Sequence, residues 1–303
     1  MHDYMPVIAV ILAGGKSRRF RSNKYLYPVD GIPTICRVLT AITSTPSVGE
    51  VWLSVNSREQ GLLYIEECRK SSDEIVIIED DEGIACEGPA RGVATVLTES
   101  SHRMLPELLF LPGDTPWIKP SILTKFIEES RYNHVDAASI WWKEGVLENI
   151  FLYVRVPGGI TTQYLDLCEI KRRHARVTDI LRLVDRVLLV PGEKLGDPTS
   201  LASINTLSDR DKPSIKGSPG AETKIIDWGP GGAPLLMVLD MLRKGDLPRA
   251  YKYLIKESKT WLSKGVRHLA YHAAVDAIII SKNTDINALE ANMLADKTRP
   301  QKE

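Results

Sequence analysis

The sequence predicts an α/β fold on a mostly parallel sheet, followed by a small all-helical unit. Three observations carry that reading. Short runs rich in Val and Ile alternate with helical patterns through about residue 130, the mark of an α/β chain with parallel strands. Two further strand-like runs, "VDAASIWWK" and "NIFLYVRV", follow without a long helix between them, so they can pair antiparallel. Beyond "PSIKGSPG" at 213–220, only helical periodicity remains.

Taken in order, Val7 to Leu12 is a continuous apolar run, as expected of a strand buried on both faces. "TICRVLTAI" reads as a helix, "EVWLSVN" as a strand, "GLLYIEECRK" as a helix and "EIVIIED" as a third strand. "GPARGVATVLTES" is a helix entered through Gly-Pro. "ELLFLPGD" is a fourth strand, and "PSILTKFIEES" a helix with proline at its start. "TQYLDLCEIKRRHARVTDILRLVD" is mostly helical and "RVLLVP" is a strand. The expected organisation is a domain over 1–212, a Pro-, Gly- and Ser-rich linker over 213–230, and a helical domain over 231–303 with a frayed polar end.

Composition narrows the function. With 303 residues and 43% hydrophobic content, the chain can build a sizeable core. Lys plus Arg and Asp plus Glu both number 39, so the net charge is zero. That argues against a nucleic-acid binder, which carries a basic field. No stretch approaches the roughly 20 apolar residues of a spanning helix. The four cysteines, Cys36, Cys68, Cys86 and Cys168, are scattered with no C-x-x-C. This favours reduced thiols in a cytoplasmic protein. No membrane and no nucleic-acid partner is expected.

The stretch "VIAVILAGGKSRRFRSNK" holds the first chemical signal. Ligands in α/β proteins sit where a buried strand ends. Gly14 and Gly15 let the backbone approach a phosphate or base and offer bare N–H groups. Lys16, Arg18, Arg19 and Lys24 add positive charge suited to a phosphate-rich ligand. The spacing fits neither a Walker A loop nor G-x-G-x-x-G. In "LLFLPGDTPWIKP", Asp114 follows an apolar strand. A carboxylate there, beside phosphates, is a natural Mg²⁺ ligand.

"LAGGKSRRF" with Lys24, then "GPARGV", "GDTPWIKP" and "SINT" resemble, in that order, the molybdenum cofactor guanylyltransferase family over about residues 6–212. The resemblance implies a three-layer, Rossmann-like nucleotidyltransferase fold of the glycosyltransferase-A type, with a mostly parallel mixed sheet. It implies transfer of GMP from GTP to a phosphorylated pterin cofactor, molybdenum-molybdopterin, with Mg²⁺ and release of pyrophosphate. Leu12, Ala13, Gly14 and Gly15 match the segment that meets the base and phosphates. Arg19 and Lys24 match the catalytic cations. Asn56 and Asp81 match polar residues at the nucleotide, and Gly88 opens the next nucleotide-side motif. Asp114 matches the metal ligand, and Asn205 a further metal contact. Departures from the family pattern are Phe20, Arg21, Asn23, Arg91 and Ser203. A sibling transferring to adenosylcobinamide phosphate or a sugar phosphate, and a non-catalytic nucleotide-binding regulator, are the alternatives.

Three weaker signals stay open. The basic run Glu169 to Val177 could hold acceptor phosphates or be a solvated face. Trp141 and Trp142 could stack on a flat acceptor, but core packing is the commoner role of such residues. The C-terminal apolar stripes fit either a homodimer interface or packing on the catalytic domain.

Overall fold

A computed structural model describes residues 5–15, 23–69, 75–156, 159–206, 209, 215, 217–282 and 284–300, without the side chain of Asn149. The main sheet has eight strands. Strand β1 (Val7–Leu12) is followed by a two-residue hairpin, β2 (Pro28–Val29) and β3 (Ile32–Pro33), and by α1 (Thr34–Thr43). Then come β4 (Val48–Val55), α2 (Arg58–Glu67), β5 (Ile75–Glu79), α3 (Pro89–His102), β6 (Glu107–Pro112) and α4 (Pro120–Tyr132). Strands β7 (Ala137–Trp141) and β8 (Leu147–Arg155) lead to α5 (Ile160–Lys171), α6 (Ile180–Leu183), β9 (Arg186–Pro191) and α7 (Gly192–Leu195). The chain ends with β10 (Lys224–Asp227), α8 (Pro234–Arg243), α9 (Leu247–Ser263), α10 (Arg267–Ser281) and α11 (Leu289–Thr298).

The sheet order is β10-β9-β7-β8-β6-β1-β4-β5. Strand β1 lies parallel to both neighbours, with Val10 opposite Trp52 of β4 and Phe110 of β6. All six of its residues are buried, because both faces of a parallel sheet are covered by helices. The chain steps from β1 outward to β4 and β5, then returns to the other side of β1 as β6. This reversal opens a crevice at the carboxyl ends of β1, β4 and β6, the place where α/β sheets bind ligands. Strand β8 runs against both β6 and β7, and the sheet is therefore mixed, as expected.

Two apolar layers flank the sheet. One joins Ile11, Leu53 and Leu109 to α1, α2 and α4. The other starts at Val10 and Leu108, passes through Leu167 and Leu181, and continues without a break to Leu235, Leu254 and Leu269. The C-terminal helices therefore extend the core of one sheet face. Their apolar stripes, which fitted either a dimer face or packing on the catalytic domain, pack against α5, α6 and each other.

Contact at the other end of the helices is made by backbone. The β7–β8 turn places the Gly145 carbonyl 3.0 Å from the His268 N–H, and the Leu147 N–H 3.2 Å from His268 Nδ1. Gly145 has φ +79°, and a Cβ there would overlap the backbone of Gly265 and Arg267.

Several expectations are corrected. Part of the 213–230 linker is strand β10, which pairs antiparallel with β9 through Ile225 opposite Leu188. The end read as frayed contains α11, with Ala291, Leu294 and Ala295 buried. Trp141 and Trp142, by contrast, take the core packing given above as the commoner role, at 3% and 0% exposed. The cysteines are paired rather than reduced, as Cys36–Cys68 and Cys86–Cys168. The first closes 32 residues and the second 82. Disulfides persist in oxidising compartments and also inside hyperthermophile cells, so the pairing alone assigns no compartment. No helix among the described residues is long and apolar enough to cross a membrane. Reducing both bonds is expected to lower stability by about 2–4 kcal/mol each, through the freed unfolded chain. Thermal unfolding with and without a reductant, against a Cys86→Ala and Cys168→Ala double variant, checks this.

Candidate functional site

Each wall of the crevice begins one residue past a strand, and backbone bonds hold those residues in place. Ala13 donates to the Ser54 carbonyl at 2.9 Å, Asp80 to Val55 at 2.8 Å and Gly113 to Leu12 at 3.3 Å. The ladders thus run on past the strand ends and aim the next side chains into one cleft of about 150 Å³. Leu12, Gly14, Gly15, Lys24, Asn56, Gly88 and Asp114 line it together. Tyr25, Ser54, Asp80 and Gly92 are also part of its lining.

One end is rich in acceptors. Ser54 Oγ donates to Asp80 Oδ1 at 2.8 Å, and the Asn56 amide donates to the Gly14 carbonyl. A Cβ on Gly14 would stand 3.0 Å from Asn56 Oδ1 and 3.1 Å from Asp80 Oδ2. A Cβ on Gly92 would stand 2.6 Å from Ser54 Oγ. The glycines keep this corner open for something flat. Burial pushes the Asp80 carboxyl up to about 6, although the Ser54 bond and Arg91 act the other way.

The other end carries the charge pair. Lys24 and Asp114 form an ion pair, and Asp114 is 7% exposed. The turn bearing Lys24 is anchored from beneath. Asn23 donates to the Tyr64 hydroxyl at 3.0 Å, and Gln60 does so at 2.9 Å. The rings of Tyr25 and Tyr64 meet edge to face at 5.8 Å. Burial pushes the Tyr25 phenol well up, with Asp114 adding to the shift. The Ile204 N–H donates to the Asp114 carbonyl at 2.9 Å, which ties the "SINT" segment to this corner.

The other expected residues fall as follows. Arg19 lies outside the described residues. Ala13 is fully buried and contributes only its backbone. Asp81 is exposed and turns away, accepting from the Gly83 N–H at 2.8 Å; its neighbour Asp80 faces the cleft. Asn205 is exposed outside the cleft, with its amide on Ser203 Oγ at 2.9 Å. Of the basic run, Lys171 and Arg176 are engaged in ion pairs, while Arg172 and Arg173 are exposed. Tyr25, Ser54 and Asp80 were not anticipated. Strand register could have found Asp80, since Val55 opposite Glu79 puts Asn56 opposite Asp80.

Among the described residues, no three His, Cys, Asp or Glu side chains converge as a metal cage. A single buried carboxylate beside bare backbone suits Mg²⁺, which takes one or two carboxylates and completes its shell with phosphate and water. Lys24 now supplies the positive charge at that carboxylate.

Comparison with known proteins gives a consistent result. The model of the MobA-like NTP transferase domain matches residues 9–186. A probable molybdenum cofactor guanylyltransferase of Pyrococcus horikoshii is 24% identical over 63% of this chain and 89% of its own length. One from Thermococcus kodakarensis is 26% identical over 67% and 92%. The crystal structure of molybdopterin-guanine dinucleotide biosynthesis protein A from Archaeoglobus fulgidus aligns with a TM-score of 0.53 at 20% identity, over 68% of this chain and 96% of that one. That likeness bears on the fold. The family match ends at residue 186, before β10 and the C-terminal helices.

Proposed function

This chain belongs to the MobA-like NTP transferase domain family, and from that premise we propose that it transfers GMP from GTP to a phosphorylated pterin-type cofactor, releasing pyrophosphate. The names of its relatives support the guanylyl group and the molybdopterin acceptor. The observation that carries the reading is the division of one cleft into an acceptor corner and a charged corner.

In the acceptor corner, an ionised Asp80 takes two N–H bonds from the edge of guanine, with Asn56 beside it. An adenine edge offers only one amino group there, so one of the two bonds to the carboxylate goes unmade, which is costly in a partly buried site. Gly14 and Gly15 meet the sugar and phosphates with backbone N–H groups. In the charged corner, Asp114 would hold Mg²⁺, which would supply charge neutralisation at the phosphates. Lys24 leaves Asp114 for the triphosphate and follows the charge onto pyrophosphate. The acceptor phosphate is already ionised, so no strong general base is needed. Catalysis is positioning and charge neutralisation.

Base recognition is expected to depend on pH. Asp80 is held up near 6, so it is mostly neutral below that value. Guanine binding requires the ionised form, so GTP affinity rises with pH and levels off above about 7. At pH 5 it is roughly tenfold weaker, one proton being released on binding. The same linkage makes the ligand-free fold lose some stability as pH rises from 4 through 6. Asp80→Asn is expected to flatten the pH profile and weaken GTP by roughly 10- to 100-fold while sparing ATP. Titrations of fluorescent GTP and ATP analogues from pH 5 to 8 decide it. An unchanged profile in Asp80→Asn refutes the assignment.

The function itself is tested by pyrophosphate release with each of the four NTPs and an acceptor panel led by molybdopterin. Release that needs GTP and molybdopterin supports the reading. Release with another acceptor moves the chain to a sibling activity.

A further inference from the structure

A second cavity lies on the far side of α5, where the C-terminal helices cover it. It measures about 230 Å³. Its floor is aliphatic and buried: Leu167 of α5, Val238 and Leu239 of α8, Leu254 of α9 and Ile280 of α10. Its rim is open, with Ile170 38% exposed and Leu242, Leu247 and Ile279 half-buried. It is larger than the roughly 150 Å³ apolar cavity that suffices to bind benzene. An aliphatic pocket open to water is unfavourable unless something fills it.

The polar end is not symmetric in what it offers. Lys171, His174 and Asp276 line it. Asp276 accepts at both oxygens already, from Arg176 at 3.0 Å and from Lys171 at 2.9 Å and Arg182 at 2.7 Å. Lys171 uses two of its three N–H groups, on Asp179 and Asp276. His174 accepts from Arg173 at Nε2, at 3.5 Å, so its proton is on Nδ1 and is available to donate. Burial and Arg173 hold its imidazole below its ordinary value, so it is neutral at pH 7. Arg172 and Arg173 stand exposed beside it. The end therefore presents donors and positive charge, with its carboxylate occupied.

The geometry points to a binding site for a small aliphatic carboxylate: an unbranched or lightly branched chain on the Leu167–Val238–Leu254 floor, its carboxylate meeting Lys171 and His174. The cavity is too small for a phospholipid and lies apart from the nucleotide cleft, sharing no lining residue with it. The family match does not account for it, since α8, α9 and α10 follow residue 186.

The test uses the full chain and isothermal titration with octanoate, butanoate and octylamine. Saturable, one-to-one octanoate binding is expected, with each methylene removed weakening it by about fourfold. Octylamine, of equal length and opposite charge, binds at least tenfold more weakly. Leu242→Trp, which fills the mouth, is expected to weaken octanoate at least tenfold and leave GTP binding unchanged. Absence of saturable octanoate binding, a flat dependence on chain length, or equal binding of octylamine overturns the proposal. So does undiminished binding by a folded Leu242→Trp. If that variant does not fold, the chain-length and head-group comparisons on the wild-type protein still decide the matter.

Discussion

Asp114→Asn is expected to lower pyrophosphate release by on the order of 100- to 1,000-fold, with the fold intact and nucleotide still bound. The side chain is 7% exposed and its neighbour Thr115 is held through the Pro112 carbonyl, so an isosteric amide keeps the local packing. What changes is charge. In the resting site, Asp114 and Lys24 neutralise each other. An amide is a weaker Mg²⁺ ligand than a carboxylate, so the metal proposed for Asp114 would be lost from the reacting end of the phosphates. With the carboxylate at position 114 removed, the positive charge of Lys24 is no longer offset by Asp114 and can act on the triphosphate. GTP affinity without Mg²⁺ should therefore stay level or rise while turnover collapses.

Lys24→Met is expected to do the reverse in binding. It removes the cation proposed to meet the phosphates, so KM for GTP should rise and kcat fall together. The opposite directions separate the two roles. Steady-state kinetics over a Mg²⁺ series, with nucleotide binding measured in EDTA, check both variants. Equal loss of GTP affinity in both would mean that Asp114 acts only by holding Lys24.

The residues of this cleft were legible to different depths. Gly14 and Asp114 stood out because each follows a strongly apolar run, and strand ends are where parallel sheets place their ligands; Lys24 stood out as one of the cations clustered after the glycines. Asp80 was missed for its neighbour Asp81 because a one-residue change of register reverses which face a side chain takes. Tyr25 and Tyr64 carry no sequence signal, since nothing in the sequence says that one ring lies against the other. Strand β10 was hidden in a Pro- and Gly-rich stretch, because a four-residue edge strand with one buried position has no usable periodicity. The cysteine pairing was unreadable because spacing does not determine connectivity. Lys171 stood in a basic run that could hold acceptor phosphates or be a solvated face, and nothing in the sequence singled out Arg182 or Asp276, for only the packing of α5, α6 and α10 brings them together.

That last group yields the largest stability effect we expect. Asp276→Ala should destabilise the whole chain by about 3–5 kcal/mol, or roughly 5–15 °C in unfolding temperature. Three cations, Lys171, Arg176 and Arg182, face three carboxylates, Asp179, Asp276 and Glu257. Arg182 is fully buried, with Glu257 at 2.6 Å and Asp179 and Asp276 both at 2.7 Å. Removing Asp276 leaves three cations on two carboxylates, with the Arg182 guanidinium fully buried among them. Arg182→Met with Glu257→Leu removes one charge of each sign and leaves two against two, so it should cost much less.

Acid provides an independent check on the same cluster. Burial alone would raise the Asp276 carboxyl, but Lys171, Arg176 and Arg182 hold it well below its ordinary value. Its contribution is therefore present above the unfolded carboxyl range near 4 and is lost as pH falls below it. Asp276→Ala should lose less stability than the wild type between pH 4 and 2.

Hydrogen exchange tests what the cluster joins. Asp179 and Arg182 belong to the sheet-side layer, while Glu257 and Asp276 come from α9 and α10. With the apolar core continuous between them, Asp276→Ala should loosen α5, α6, α9 and α10 together. Loss of protection confined to α9 and α10 would instead mean that the C-terminal helices form a separately folding domain, and that the buried charges merely dock it.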